Sequence, residues 1–143
     1  MKISILLPYK ENFSPEYPGA VSLFVFETTK TSKFKKNITV FGNTNFDKKF
    51  PLKYRNINLK KNFIGSQTKD YVNKFIILEK INKSSIIEIH NRPIYVNYLI
   101  DQLNKKVITL YFHNDPLSMD GSKSIYERKN LLDRKSTRLN SSH

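Results

Sequence analysis

The sequence predicts an α/β protein built on a doubly wound, mostly parallel sheet, and three observations carry that prediction. Short β-forming runs recur at KISILL, NITVF, YRNINL, IIEI and VITLYF, with helical patterns between most of them. The run from Val107 to Phe112 has apolar residues on both parities, which suits a strand covered on both faces. Two runs also end in the same grammar, His-Asn and then a proline: IIEIHNRP from Ile86 to Pro93, and VITLYFHNDP from Val107 to Pro116. In open parallel sheets, ligands sit beyond the carboxyl ends of the strands. Two strands ending in His-Asn are therefore expected to aim His90, Asn91, His113 and Asn114 at one cleft.

Taken in order, strand one is Lys2 to Leu7, closed by Pro8. A polar loop follows, with Pro15, Pro18 and Gly19 as turn residues. From Gly19 the pattern becomes helical, with Ala20, Val21, Leu23, Phe24 and Val25 on overlapping three- and four-residue spacings. Glycine at such a helix start lets the backbone approach a ligand, and free N–H groups there favour an anion such as a diphosphate. A loop simply ending at a helix is the bland alternative. Asn37 to Phe41 is the second strand, stopped by Gly42 and Asn43, and Tyr54 to Leu59 is a short third. Gln67 to Lys83 is a helix with Tyr71, Phe75, Leu78 and Ile81 on its apolar face, aromatics better suited to a core than to base stacking. Ile86 to Ile89 is strand four. Pro93 to Asn104 is a helix with proline in its first turn, carrying Ile94, Val96, Tyr98, Leu99 and Leu103. Val107 to Phe112 is strand five, Asp120 and Gly121 make a turn, and a last helix begins around Ser122 to Ile125. No sixth strand is expected.

A length of 143 residues with 38% hydrophobic and 13% aromatic content fits one globular domain with a sizeable core. Cysteine is absent, which excludes disulfides and thiolate metal sites. The opening MKISILLPYKEN is read as a strand because it lacks a small-residue cleavage site. No run approaches the roughly 18 apolar residues of a membrane span, so a cytoplasmic location is expected. The net charge of +13 raises a nucleic-acid reading. However, the excess is mostly lysine, scattered in KFKK at Lys33 to Lys36 and in the pairs Lys48-Lys49 and Lys60-Lys61. A weak attraction to anionic lipid headgroups is favoured over a specific nucleic-acid surface.

Residues 133–143, DRKSTRLNSSH, differ from the rest. Two of the chain's five arginines, Arg134 and Arg138, fall there, and isoleucine is missing. The peptide resembles the translation of a common sequencing-library adapter, so residues 1–132 are expected to be the native, incomplete part and residues 133–143 a non-native tail. Leaving out its three basic residues and one acidic residue gives +11 for the remainder.

With these residues in place, the first 132 positions resemble the amino-terminal domain of the family-4 retaining glycosyltransferases of bacteria. KISILLP corresponds to the opening strand, PGAVSLFVFE to a Gly-Gly-Ala loop and helix, IIEIHNRP to a His-containing fourth strand and ITLYFHNDP to a Thr-x-His-Asp segment. The resemblance implies one Rossmann-like half of a GT-B fold, lying on the acceptor side of a cleft. It implies a full-length parent that transfers a sugar from a nucleotide-sugar donor to an envelope glycan or lipid-linked acceptor, with retention. The work would be cytoplasmic, at the inner face of the membrane. By the same resemblance, His113 is the catalytic residue beside the reacting sugar, where its imidazole would donate to a sugar hydroxyl or carbonyl. Gly19 and Ala20 lie near the donor diphosphate, although Pro18 stands where the family often has a first glycine. His90, Asn91 and Arg92 line the neighbouring strand end, with the Arg92 fork suited to an anion, and Asn114 and Asp115 shape the rim. The family's basic pair and two-glutamate motif belong to its second domain and have no counterpart in this chain. Without their stabilisation of the leaving diphosphate, the fragment alone is expected to be inactive.

No cofactor is expected. Metal is disfavoured because His90, His113 and Asp115 lack a further close ligand at a suitable spacing. A nicotinamide dehydrogenase is disfavoured because no Gly-x-Gly-x-x-Gly follows strand one. The remaining alternative is a non-enzymatic basic module that binds nucleic acid or anionic membrane through a continuous positive face.

Overall fold

The computed structural model describes residues 1–60, 65–103, 105–132 and 137–141. It is an α/β structure with an all-parallel sheet, consistent with the Rossmann-like doubly wound class. The strands are β1 (Ile3–Leu6), β2 (Ile38–Gly42), β3 (Tyr54–Asn56), β4 (Ile86–His90), β5 (Val107–Phe112) and β6 (Thr137–Ser141). Their order across the sheet is β3-β2-β1-β4-β5-β6. The helices are α1 (Ala20–Lys30), α2 (Gln67–Asn82), α3 (Pro93–Leu99) and α4 (Ile125–Leu132).

The direction of winding reverses at β1, which pairs with β2 on one edge and β4 on the other. All four residues of β1 are consequently buried. One face of the sheet is covered by α2, α3 and the end of α4. Tyr71, Phe75, Tyr95, Val96, Leu99 and Leu131 there meet Leu6, Phe41, Ile87, Ile89, Ile108, Leu110 and Phe112. The other face carries a smaller core, in which Val21 and Val25 of α1 join loop residues Phe13 and Phe50 over Ile3, Ile5, Ile38 and Val40. That core lies over β1 and β2. It leaves the same face of β4 and β5 with polar residues and only partial cover.

Several expectations need correction. β5 is covered fully on one face only: Ile108, Leu110 and Phe112 are buried, but Val107 is 38% exposed and Thr109 and Tyr111 are half-buried. The reason is that α1 sits over β1 and β2 instead. β3 stops at Asn56, and α3 ends at Leu99, with Leu103 still packed in the core. Ile81 of α2 is exposed, because the buried stripe runs through Tyr71, Val72, Phe75, Ile76 and Glu79. A sixth strand is present: Thr137–Ser141 pairs in parallel with Ile108–Phe112. An open strand edge offers unpaired N–H and C=O groups to any extended segment that reaches it, whatever that segment's composition. Lys61, Asn104, residues 133–136 and His143 lie outside the described residues.

Three local devices fix the elements. Ser66 caps α2 by accepting from Lys69 N–H, and Lys83 ends that helix in the left-handed conformation at φ 56°. Glu79, fully buried near the same end, accepts from Ser4 Oγ at 2.9 Å, from Ser84 N–H at 3.1 Å and from the Ser84 hydroxyl, tying the helix to β1. Gly121 has φ 95°, and a Cβ there would stand 2.7 Å from the Ile94 amide nitrogen, so glycine lets the loop before α4 lie on the start of α3. Ser124 and Glu127 then form a reciprocal capping pair at α4.

Candidate functional site

Alternation along β4 puts Ile87 and Ile89 into the larger core and turns Glu88 and His90 toward the α1 side. In β5, Ile108, Leu110 and Phe112 face the same core, so Thr109, Tyr111 and the following His113 share the side of His90. Strand pairing places His90 opposite Tyr111, and the two rings stack with centroids 4.9 Å apart and planes 7° apart. His90 and His113 meet at the strand ends, with Nδ1 of His90 2.9 Å from Nε2 of His113. Their ring centroids are 5.2 Å apart, so the rings touch edge to edge rather than face to face. On its other edge, His90 Nε2 lies 3.4 Å from Glu88 Oε2. Phe24 of α1 covers both imidazoles, at 4.8 Å from His113 and 6.1 Å from His90. His90 is 1% exposed, whereas His113 is half-buried. A small groove of about 200 Å³ runs beside this cluster, lined by Phe24, Thr28, Ser32, Glu88, His90 and Tyr111 among others.

The four polar side chains at the two strand ends do not all point into one cleft. Asn91 is buried at φ 57°, and its Oδ1 accepts from the backbone N–H groups of His113 (3.1 Å) and Asn114 (3.2 Å). Its own N–H donates to Tyr111 O at 2.7 Å. Asn91 thus clasps the end of β4 to the end of β5 and sets where His113 stands. An asparagine side chain at positive φ suits such a local clasp. Asn114 and Asp115 are exposed, and Asp115 caps the turn at Pro116–Ser118 by accepting from Leu117 N–H at 2.9 Å.

Arg92 faces a different opening. It donates to Asn91 O at 2.7 Å and lines a groove of about 520 Å³ with Tyr9, Ser66, Thr68, Tyr95, Tyr98, Met119 and Asp120. Neither histidine lines that groove. In its wall Tyr9 N–H donates to Tyr95 Oη at 2.9 Å, and elsewhere in the core the buried Tyr71 hydroxyl donates to Leu7 O at 2.6 Å. Burial, the largest cause in both, raises the Tyr71 phenol well above its ordinary pKa and the Tyr95 phenol above its own.

Gly19 is the N-cap of α1, and Ala20, its first residue, is exposed. The expected anion position at this helix start is already filled. Glu11 Oε1 accepts from Ser22 N–H at 3.0 Å, and its carboxylate fills the space a Cβ at residue 19 would need. A diphosphate approaching these amides would have to displace Glu11. Nearby, the buried oxygens Ser22 Oγ and Asn12 Oδ1 have no hydrogen-bond partner among the described residues.

The sequence does not single out Glu88 or Glu11, and Phe24 enters there only as part of the helical pattern after Gly19. Glu88 was within reach, since a residue two positions before His90 on a strand must share its face. The other two depend on how α1 and its preceding loop fold back, which no local pattern encodes.

The fold and this cluster define an α/β protein with a histidine pair at the carboxyl ends of adjacent parallel strands. No protein-family model matches the chain, and no curated protein matches it. No helix among the described residues is long and apolar enough to cross a membrane.

Proposed function

We propose that the chain is the acceptor-side domain of a retaining, family-4-like glycosyltransferase. On this reading the full-length parent moves a sugar from a nucleotide-sugar donor to an envelope glycan or lipid-linked acceptor at the inner face of the cell membrane. The observation that carries the reading is the meeting of His90 and His113, 2.9 Å apart, beneath the helix that Gly19 opens. Widely separated or oppositely facing rings would have removed it. The half-buried His113 is, on this reading, the member that touches a substrate, with His90 behind it. Arg92 and its groove supply a second contact area, suited to an anionic part of the acceptor. By the same reading the chain alone should release no sugar, because the groups that hold a leaving diphosphate belong to the family's second domain.

The test is nucleotide-sugar transfer and hydrolysis by the product of the complete gene, with His113→Ala beside it. A loss of about 100-fold or more in turnover is expected for the variant. Unchanged turnover would remove His113 from the role, and no transfer from any of a panel of uridine, guanosine and adenosine diphosphate sugars would overturn the reading.

The β3 edge favours a second reading, a basic module on an anionic membrane. Two grooves flank the exposed Ile77 and Ile81 and are lined by Lys2, Lys53, Arg55 and Lys74, with no acidic residue among their described lining groups. Exposed aliphatic side chains among cations suit an anionic lipid surface. Co-sedimentation with anionic but not neutral vesicles, lost on Ile77→Ser with Ile81→Ser, would support it, and equal recovery with both vesicle types would refute it.

A further inference from the structure

We propose that Glu88, His90 and His113 form a directional hydrogen-bonded array, in which Glu88 is a positioning residue that fixes the His113 proton on Nε2. The array follows from atom positions and proton bookkeeping. An ionised carboxylate can only accept, so the 3.4 Å approach of His90 Nε2 to Glu88 Oε2 assigns the His90 proton to Nε2. A neutral imidazole has one donor and one acceptor, which leaves Nδ1 of His90 as a lone pair. The 2.9 Å separation then requires His113 Nε2–H to be the donor. The opposite direction would need protons on both nitrogens of His90, an imidazolium at 1% exposure between the Phe24 and Tyr111 rings. Burying that charge is costly when Glu88, its acidic neighbour among the described residues, sits at a long 3.4 Å.

The ring planes support the assignment. His90 lies within 7° of the Tyr111 plane and 21° of the His113 plane, so stacking on Tyr111 holds His90 where both of its nitrogens point along the array. Asn91 fixes the backbone of His113 from the other side.

The array sharpens the chemistry of the site. The direction of the array puts the proton on the His113 nitrogen that faces His90. The use of the array in transfer rests on the proposed function; the array itself does not.

The experiment is solution NMR of the whole chain labelled with ¹⁵N at histidine. The expected result is a ring proton attached to His113 Nε2, protected from exchange and scalar-coupled across the hydrogen bond to His90 Nδ1. Glu88→Met, which removes the acceptor at similar size, should speed exchange of that proton about ten-fold or more. Glu88→Gln, whose amide oxygen still accepts, should restore the protection. A merely structural Glu88 would leave the ring proton unmoved in both variants. Finding the proton on His90 Nδ1, finding no protected ring proton, or seeing exchange unchanged in Glu88→Met would each overturn the array. The wild-type coupling needs no variant, so a misfolded Glu88→Met would leave the test standing. A coupled ring proton in a protein whose complete gene product transfers no sugar would uphold the array and sink only the functional reading.

Discussion

Replacing Asn91 by alanine should destabilise the chain by about 2–3 kcal/mol, and the magnitude follows from what the side chain does. Its Oδ1 accepts two backbone N–H groups, those of His113 at 3.1 Å and Asn114 at 3.2 Å. The His113 residue is half-buried and Asn114 is exposed, so the second amide regains water more readily when the acceptor goes. Losing both contacts is worth about 1–2 kcal/mol on that basis. Alanine must also hold φ 57°, a left-handed conformation that asparagine tolerates and alanine does not, which adds about 1 kcal/mol. Glycine at 91 separates the two parts: it loses the hydrogen bonds but relieves the backbone, so Asn91→Gly should cost about 1 kcal/mol less than Asn91→Ala. Aspartate keeps the oxygen that accepts both N–H groups and should fall within about 0.5 kcal/mol of the parent. Urea unfolding at matched protein concentration reads these differences. With a slope of about 2 kcal/mol per molar, the alanine variant should lose about 1–1.5 M in midpoint. The reasoning fails if alanine and glycine unfold together, or if aspartate is as weak as alanine.

Gly121→Ala should destabilise by about 2–4 kcal/mol, since it combines a positive φ with a Cβ 2.7 Å from the Ile94 amide nitrogen; thermal unfolding with a midpoint like the parent's would refute the contact. Lys83→Gly should stabilise by about 0.5–1 kcal/mol by relieving the left-handed end of α2, read as a higher urea midpoint. Tyr71→Phe should cost about 1–2 kcal/mol at neutral pH by leaving Leu7 O without its 2.6 Å donor. The Tyr71 phenol is raised in the folded state, so its contribution is fully present below the unfolded value near pH 10 and is lost as the pH rises through the folded value. The parent should therefore lose stability above about pH 10 more steeply than Tyr71→Phe, and parallel alkaline profiles would contradict the burial.

The strands were legible in the sequence because their hydrophobic runs reflect where the two cores lie. KISILL, NITVF, IIEI and VITLYF all emerge as parallel strands, and the two His-Asn endings do fall side by side. The errors share a cause, which is that a one-dimensional pattern does not say which elements cover which strands. Apolar residues on both parities of β5 read as double cover, yet α1 lies over β1 and β2, leaving Thr109 and Tyr111 partly open. Ile81 fits the helical spacing of α2 but falls on the outer side, while Glu79 takes a buried position because Ser4 and Ser84 satisfy its carboxylate. At the site, the histidine pair could be anticipated from the strand endings alone. The seating of Asn91 under the His113 backbone, and of Glu11 over the start of α1, depend on loop geometry specified jointly by distant residues.

The central place of β1 bears on how the chain acquires its shape. Ile3–Leu6 is flanked on one edge by Ile38–Phe41 and on the other by Ile86–Ile89. During synthesis from the amino terminus, β1 can find its neighbour β2 soon after α1 emerges. Its second edge must wait until α2 has been translated and β4 follows. A segment that is apolar except for Ser4, with one open side through that interval, is a natural client for a ribosome-associated chaperone, and pausing within α2 would lengthen the exposure.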